Sequence, residues 1–334
     1  MYRALQPLLL RLDAERAHAI TLRMLNIAQQ LGVLQWALPR PVSRPLKLMG
    51  LTFPNRVGLA AGFDKNAISI DALGALGFGF IELGTVTPEA QPGNPRPRIF
   101  RIPEAQAVIN RLGFPNAGLA AFVARLRLRR FAGICGVNIG KNATTPLERA
   151  KADYIACMQA VYPYADYIAV NVSSPNTAGL RDLQREAPLR ALLEELLEAR
   201  SRLAAEQGRR VPLLVKLSPD LTDEDLSSAA AVIGALRIDG VIATNTTIRR
   251  PGLAGLPVAE QPGGLSGAPL LALATATVRR LRSQLGASIA IIGVGGIHSA
   301  ESAREMLAAG ADLIELYTGF AYRGPRLVRE LSQL

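Results

Sequence analysis

The chain has 334 residues, 49% hydrophobic and only 5% aromatic, so one large domain or two small ones must be packed mainly by aliphatic side chains. No stretch reaches the ~18 consecutive apolar residues of a membrane span. Two cysteines and two histidines are too few for a metal quartet, a disulfide framework or a histidine triad. The net charge of +11 calls for an anionic partner, nucleic acid or a membrane surface, without choosing between them.

The opening MYRALQPLLLRLDAERAH is too soon charged for a secretory signal, so the chain is expected to stay in the cytoplasm. Residues 1–38 read as one or two amphipathic helices. Leu5, Leu8, Leu9 and Leu12 form one stripe, Asp13 can cap the next helix, and Ala17, Ile20, Met24, Ile27, Ala28 and Leu31 continue an apolar face. That face either packs on the rest of the protein or lies on a membrane, with Arg3, Arg11, Arg16 and Arg23 among it; composition leaves both open. Residues 45–55 (PLKLMGLTFPN) predict a hairpin turning at Gly50, a plug for the N-terminal end of a barrel.

Eight short β-type runs follow, at residues 56–62, 80–86, 133–140, 167–174, 211–218, 240–246, 288–295 and 313–319. Most are separated by helix-compatible segments, such as 189–203, where leucines recur at helical spacing opposite Glu194, Glu195 and Glu198. The alternation predicts an α/β fold, a (β/α)8 TIM barrel over residues 41–334 with an N-terminal helical extension over residues 1–40. Cys135 and Cys157 lie in apolar runs as core thiols, and the arginines at 125–130 read as a solvated helix end.

Polar residues gather at the C-terminal ends of the runs: Lys65, Thr85, Asn138, Asn171, Lys216, Thr244 and Asn245. In a barrel that end is the active-site face. Glycines at 293–296 and at Tyr317-Thr318-Gly319 end the last two runs before helical segments, where open N–H groups suit a phosphate, and GGLSG at 263–267 is placed to close the site from the side. Lys216 suits either a cation beside a flavin ring or a Schiff-base lysine. Asn110, Asn171, Asn176 and Asn245 suit a small heterocycle rich in N–H and C=O groups.

AAGFDKN (60–66), GTVTPEAQPGNPRPRIFR (84–101), INRLGFPN (109–116), NIGKN (138–142), NVSSPNTAGLRDLQ (171–184), VKLSPD (215–220), IATNTT (242–247), GGLSG, IIGVGGI (291–297), YTGF (317–320) and the N-terminal DAERAH resemble the class 2, quinone-dependent dihydroorotate dehydrogenases along essentially the whole chain. The resemblance implies oxidation of dihydroorotate to orotate through FMN, in pyrimidine synthesis, with a membrane quinone such as ubiquinone as acceptor. It makes Ser174 the base. It assigns Lys65, Asn110, Arg111, Leu112, Gly113, Phe114, Asn171, Asn176, Asn245 and Thr246 to the substrate. To FMN it assigns Ala61, Gly62, Phe63, Asp64, Lys65, Thr85, Asn138, Asn171, Lys216, Thr244, Gly267, Gly296, Tyr317 and Thr318. His18 and Arg101 fall near the quinone head group. Residues 251–261, rich in proline and glycine, depart from the family pattern and leave closure of the lid there open. A monomer bound peripherally to the cytoplasmic face of the bacterial membrane is expected, with no metal and no nucleic acid. The soluble class 1 enzymes are the nearest alternative, but they use a cysteine base and lack the N-terminal helices.

Overall fold

A computed structural model of the protein describes residues 11–37 and 43–334. Asp13 opens helix α1 (Ala14–Gln30): its carboxylate accepts from Glu15 N and Arg16 N at 3.1 and 3.0 Å, satisfying donors that a first turn leaves free. A short α2 (Val33–Ala37) follows. Arg3, Leu5, Leu8 and Leu9 of the expected N-terminal pattern lie outside the described residues. On α1, Ala17 and Leu22 are buried, whereas Ile20, Met24, Ile27 and Leu31 are exposed, the last at 72%. The predicted apolar face therefore points mostly outward. Leu22 and Leu25 pack on the core instead, and Glu15 accepts from Arg98 at 2.8 Å while Asn26 Nδ2 donates to Ile68 O at 2.9 Å.

Strands β1 (Leu46–Leu48) and β2 (Leu51–Phe53) form the expected hairpin. Met49 and Gly50 both take positive φ, 53° and 77°, the backbone that a two-residue turn needs to match strand twist. The barrel strands, numbered in chain order, are β3 (Val57–Leu59), β4 (Phe80–Val86), β7 (Ile134–Ile139), β8 (Tyr167–Asn171), β9 (Leu213–Leu217), β10 (Gly240–Ala243), β12 (Ala290–Val294) and β13 (Leu313–Leu316). They close into a parallel cylinder in that order, with β13 paired back to β3. Each lies inside one of the eight predicted runs.

Strand alternation fixes what the cylinder contains. Ile81 and Leu83, Ile168 and Val170, and Leu213 and Val215 join the outer core beneath the helices. The alternate positions face inward. Phe80, Tyr167, Leu214, Ile242, Ile292 and Leu313 form an apolar floor with Phe53, which meets Phe80 edge-on at 5.3 Å and seals the N-terminal mouth. Gly58 and Gly136 make room for those rings: a Cβ there would lie 2.2 Å from Phe80 and 2.0 Å from Tyr167. Two residues above the floor come Glu82, Lys216 and Glu315, and above them the amides of the open mouth. Cys135 and Cys157 are buried free thiols.

A second sheet stands beside that mouth, and the sequence reading missed it. Strands β5 (Ile99–Ile102), β6 (Ala107–Asn110) and β11 (Gly264–Gly267) pair antiparallel in the order β11–β6–β5. Residues read as a loop and as a glycine-rich flap are thus strands, each only four long, too short to display a period. Residues 251–261 pack on this sheet. Leu253 is buried against Ile109 and Leu265, and the Arg250 guanidinium donates to the carbonyls of Ile248, Ala259, Gln261 and Gly263 at 2.8–2.9 Å. The segment is anchored at both ends.

Replacing Phe53 with alanine should lower the unfolding free energy by about 3–5 kcal/mol in denaturant titration, the usual cost of emptying a buried aromatic site. A loss under about 1 kcal/mol would mean that the hairpin does not seal the barrel.

Candidate active site

The open mouth holds a cleft of about 1000 Å³. Ala61, Gly62, Lys65, Thr85, Asn110, Leu112, Gly113, Phe114, Asn171, Ser174, Asn176, Lys216, Thr244, Asn245, Thr246, Gly267, Gly296, Tyr317 and Thr318 all line it, so most of the residues singled out by sequence converge. They arrive from different strand ends. The register of β4 against β7 shifts between Gly84 and Val86, an irregularity that re-aims Thr85 towards the cleft.

One hydrogen-bonded chain of amides spans the mouth. Asn138 Nδ2 donates to Glu82 Oε1 at 2.9 Å, and Thr85 Oγ1 donates to Asn138 Oδ1 at 2.5 Å. Asn171 Nδ2 reaches Thr85 Oγ1 and Asn138 Oδ1 at 3.0 and 3.1 Å. Asn245 Nδ2 continues to Asn171 Oδ1 at 3.3 Å and to Ser173 Oγ at 3.0 Å. Each amide is thereby fixed in one orientation by its neighbour. At the outer rim, Asn176 Nδ2 donates to Asn110 Oδ1 at 3.3 Å, and Ser174 Oγ accepts from Asn176 N at 3.2 Å.

Two cations stand in the cleft with different environments. Burial alone would discharge Lys216, yet Glu82 at 3.3 Å and Glu315 at 3.7 Å hold its ammonium above the ordinary lysine value. Lys65 donates to Gly62 O at 2.5 Å, and burial, only partly opposed by Glu15 and Asp64, pushes it down to about 8. It is the cation that changes charge near neutrality.

Six predicted residues do not line the cleft. Asn138 sits directly beneath it in the amide chain. Asp64 accepts from the backbone N–H groups of Asn66, Ile68 and Ser69, so it shapes the loop after β3. The Arg111 guanidinium lies 4.7 Å over the Phe100 ring and donates to Gln261 Oε1 at 3.0 Å. Phe63 packs behind Tyr317, ring centroids 5.7 Å apart. His18 stacks edge-on against Phe63 at 4.8 Å and its Nε2–H donates to Phe63 O at 2.7 Å, while Arg101 Nη1 donates to Leu12 O at 2.9 Å. Both belong to the seam between α1 and the barrel.

Sequence reasoning also passed over residues that the site uses. Glu82 and Glu315 are buried acids in the middle of apolar strands, and that placement was itself the signal. Arg181 ties three loops at the rim, donating to Ser173 O, Asp220 Oδ2 and Thr246 O at 3.2, 3.0 and 3.1 Å. Ser266 accepts from Thr318 Oγ1 at 2.8 Å.

A closed parallel barrel with a charged floor and a fixed ring of amides at the C-terminal mouth has the layout of a barrel enzyme. The family model described as dihydroorotate dehydrogenase matches residues 45–333. A protein of Xanthomonas oryzae pv. oryzae named dihydroorotate dehydrogenase (quinone) is 57% identical over 331 residues, 99% of this chain and 94% of its own length. One of the same name from Flavobacterium lutescens is 56% identical, covering 99% and 95%. The crystal structure of the Eimeria tenella enzyme in complex with ferulenol superposes with a TM-score of 0.86 at 39% identity, over 96% of this chain and 89% of that one. The chain belongs to the dihydroorotate dehydrogenase family, in its class 2, quinone-dependent branch, and is an oxidoreductase.

Burial, and next the charge of Lys65, lower His18 to about 4, so its ring should stay neutral between about pH 5 and 8. With only two histidines in the chain, His18 and His298, ring NMR should resolve it readily. A midpoint near 6.5 would show that α1 does not hold the ring as described.

Proposed function

We propose that the protein oxidises dihydroorotate to orotate with FMN and passes the electrons to a membrane quinone, a step of pyrimidine synthesis. The observation that carries this reading is Lys216, a dry ammonium at the floor of a cleft roofed by asparagine amides. The residues present fit FMN. The short helix Thr318–Arg323 starts without a side-chain cap, leaving its first-turn N–H groups available to a phosphate. A Cβ at Gly296 would lie 2.4 Å from Leu271 Cα, and one at Gly319 2.1 Å from Ile297 O, so these turns tolerate only glycine beside the cleft. FMN, when bound, supplies a ring that accepts a hydride equivalent.

The chain's own residues supply the rest. Lys216 stabilises negative charge at the floor, and Asn110, Asn171, Asn176 and Asn245 match the N–H and C=O edges of a pyrimidine. Lys65 neutralises the substrate carboxylate. Ser174 takes the C5 proton on Oγ as hydride leaves C6. Among the described residues no histidine or carboxylate hydrogen-bonds Ser174, so its own hydroxyl proton passes to water beside Phe114. Aldolase chemistry at Lys216 is disfavoured because the buried Glu82 carboxylate beside it keeps its amine protonated and non-nucleophilic.

The helical unit, residues 1–40, is read as the quinone and membrane element of a monomer on the cytoplasmic face, and residues 41–334 as the FMN barrel. Among the described residues no helix is long and apolar enough to cross a membrane, while Ile20, Met24, Ile27 and Trp36, the last 93% exposed, offer apolar contact at the surface. His18 adds a refinement. With Nε2–H given to a carbonyl, Nδ1 of the neutral ring is an acceptor, which suits the O–H of a reduced quinone, and Arg101 is the donor for a quinone carbonyl.

Ser174→Ala should keep FMN bound and slow flavin reduction by dihydroorotate by about 10²–10⁴-fold in stopped-flow absorbance; near-normal reduction removes Ser174 from the chemistry. A preparation without bound chromophore would sink the flavin reading itself. Because Lys65 is charged below about 8 and neutral above, orotate affinity should be greatest below that pH and fall by about tenfold per unit above it. Orotate titrations that stay flat to about pH 9.5 would rule out its pairing with the carboxylate.

A further inference from the structure

Beneath the amide chain, two carboxyl groups share one ammonium in a space closed to solvent. Glu82 is fully satisfied as an anion. Its Oε1 accepts from Asn138 Nδ2 at 2.9 Å and Lys216 Nζ at 3.3 Å, and its Oε2 accepts from the Tyr167 hydroxyl at 3.2 Å. Glu315 has no such set. Its Oε1 stands 3.5 Å from the same Tyr167 hydroxyl, whose single proton is better placed for Glu82. Its Oε2 lies 3.7 Å from Lys216 Nζ, beyond hydrogen-bond reach, and has no hydrogen-bond partner. Both side chains are 0% exposed, and Glu315 lines the cleft.

The groups facing this acid are therefore Glu82 from β4, Tyr167 from β8 and Lys216 from β9. Two anions against one cation in a low-dielectric interior cannot both stay ionised at neutral pH, so one proton must reside on the pair.

We propose that Glu315 is the acid that carries it: a neutral carboxyl beneath the floor of the cleft, a positioning residue that leaves Lys216 with one counter-ion and so sets the charge the ammonium offers to the bound redox ring. Its effect on the ring rests on the flavin reading above; its protonation does not. Burial, and next the charge of Glu82, push this carboxyl well above the usual carboxylate range, in the same direction. The floor is then electrically balanced when the ring is oxidised, and Lys216 is free to stabilise the negative charge of reduction. Were Glu315 ionised, that charge would meet a second anion.

Infrared spectra of the purified full-length protein test the proton directly. Wild type at neutral pH should show the carbonyl stretch of a protonated carboxyl, at the high-frequency end expected of a weakly hydrogen-bonded acid. Glu315→Gln should remove it. If that variant fails to fold, Glu82→Gln should remove the band too, because the one remaining carboxyl becomes the counter-ion of Lys216. A missing wild-type band, one that survives both substitutions, or one at low frequency, which would lodge the proton on the well-bonded Glu82, overturns the assignment. The flavin midpoint potential supplies a readout that a merely structural role would not move. In wild type it should bend downward at alkaline pH as Glu315 ionises, and in Glu315→Gln the bend should vanish; identical curves overturn the positioning role. The infrared comparison needs no flavin, so a colourless preparation would remove the flavin reading and still decide this one.

Discussion

Between the apolar floor of the barrel and its open mouth, one ammonium, two carboxyls and a phenol meet in a layer without solvent. Unpaired charge at that depth would cost several kcal/mol, a large fraction of the net stability of a typical domain, so the layer stands only if its members compensate one another. Strand alternation makes them do so. Glu82 stands two residues above Phe80, Lys216 two above Leu214 and Glu315 two above Leu313, which puts all three on the inward face at one height. A one-residue slip in any of these strands would turn a charged group into the helix-facing core and an aliphatic one into the cleft.

From that layer the polarity of the mouth follows upward. Glu82 accepts from Asn138, which orients Thr85 and Asn171, and Asn171 in turn receives Asn245. Each carboxamide has donors and acceptors to spare, but the chain from Glu82 decides which edge each presents. A pocket built from oriented, buried amides discriminates more sharply than an apolar one, because a ligand lacking the matching group leaves an amide unpaired. The pyrimidine preference proposed for the cleft thus depends on a carboxylate two layers below it.

The barrel was legible in the sequence because eight buried parallel strands leave eight aliphatic runs, and polar residues at their ends stand out against such runs. The hairpin was legible through Gly50, and the α1 cap through Asp13. What escaped had no periodic signal. Strands β5, β6 and β11 are four residues each and are held by pairing across distant segments, as Gly264 with Asn110. The docking side of α1 escaped for another reason: the outward stripe Ile20, Met24, Ile27 is as apolar as a core-facing one, and pattern alone does not say which way a stripe points. Long family motifs found the cleft residues well, but they also drew in Asp64 and Arg111, whose side chains serve the loop after β3 and the small sheet.

The outward stripe matters for what lies behind it. A helix that exposes Ile20, Met24 and Ile27 on one side is joined to the cleft on the other by a line of rings: His18 stacks on Phe63, and Phe63 stacks on Tyr317, which lines the cavity. The contacts along that line are aromatic edges and two hydrogen bonds to main-chain carbonyls, from His18 to Phe63 and from Tyr317 to Gly62, with His18 held neutral. Charge borders the line on two sides: burial and then the Lys65 ammonium, which donates to Gly62 O, lower His18, and Glu15 pairs with Arg96 and Arg98 and fixes the start of the helix to the barrel. The proposed passage of a lipophilic acceptor would follow this aromatic line, where stacked rings and a neutral imidazole spare quinone and quinol the desolvation of an ion.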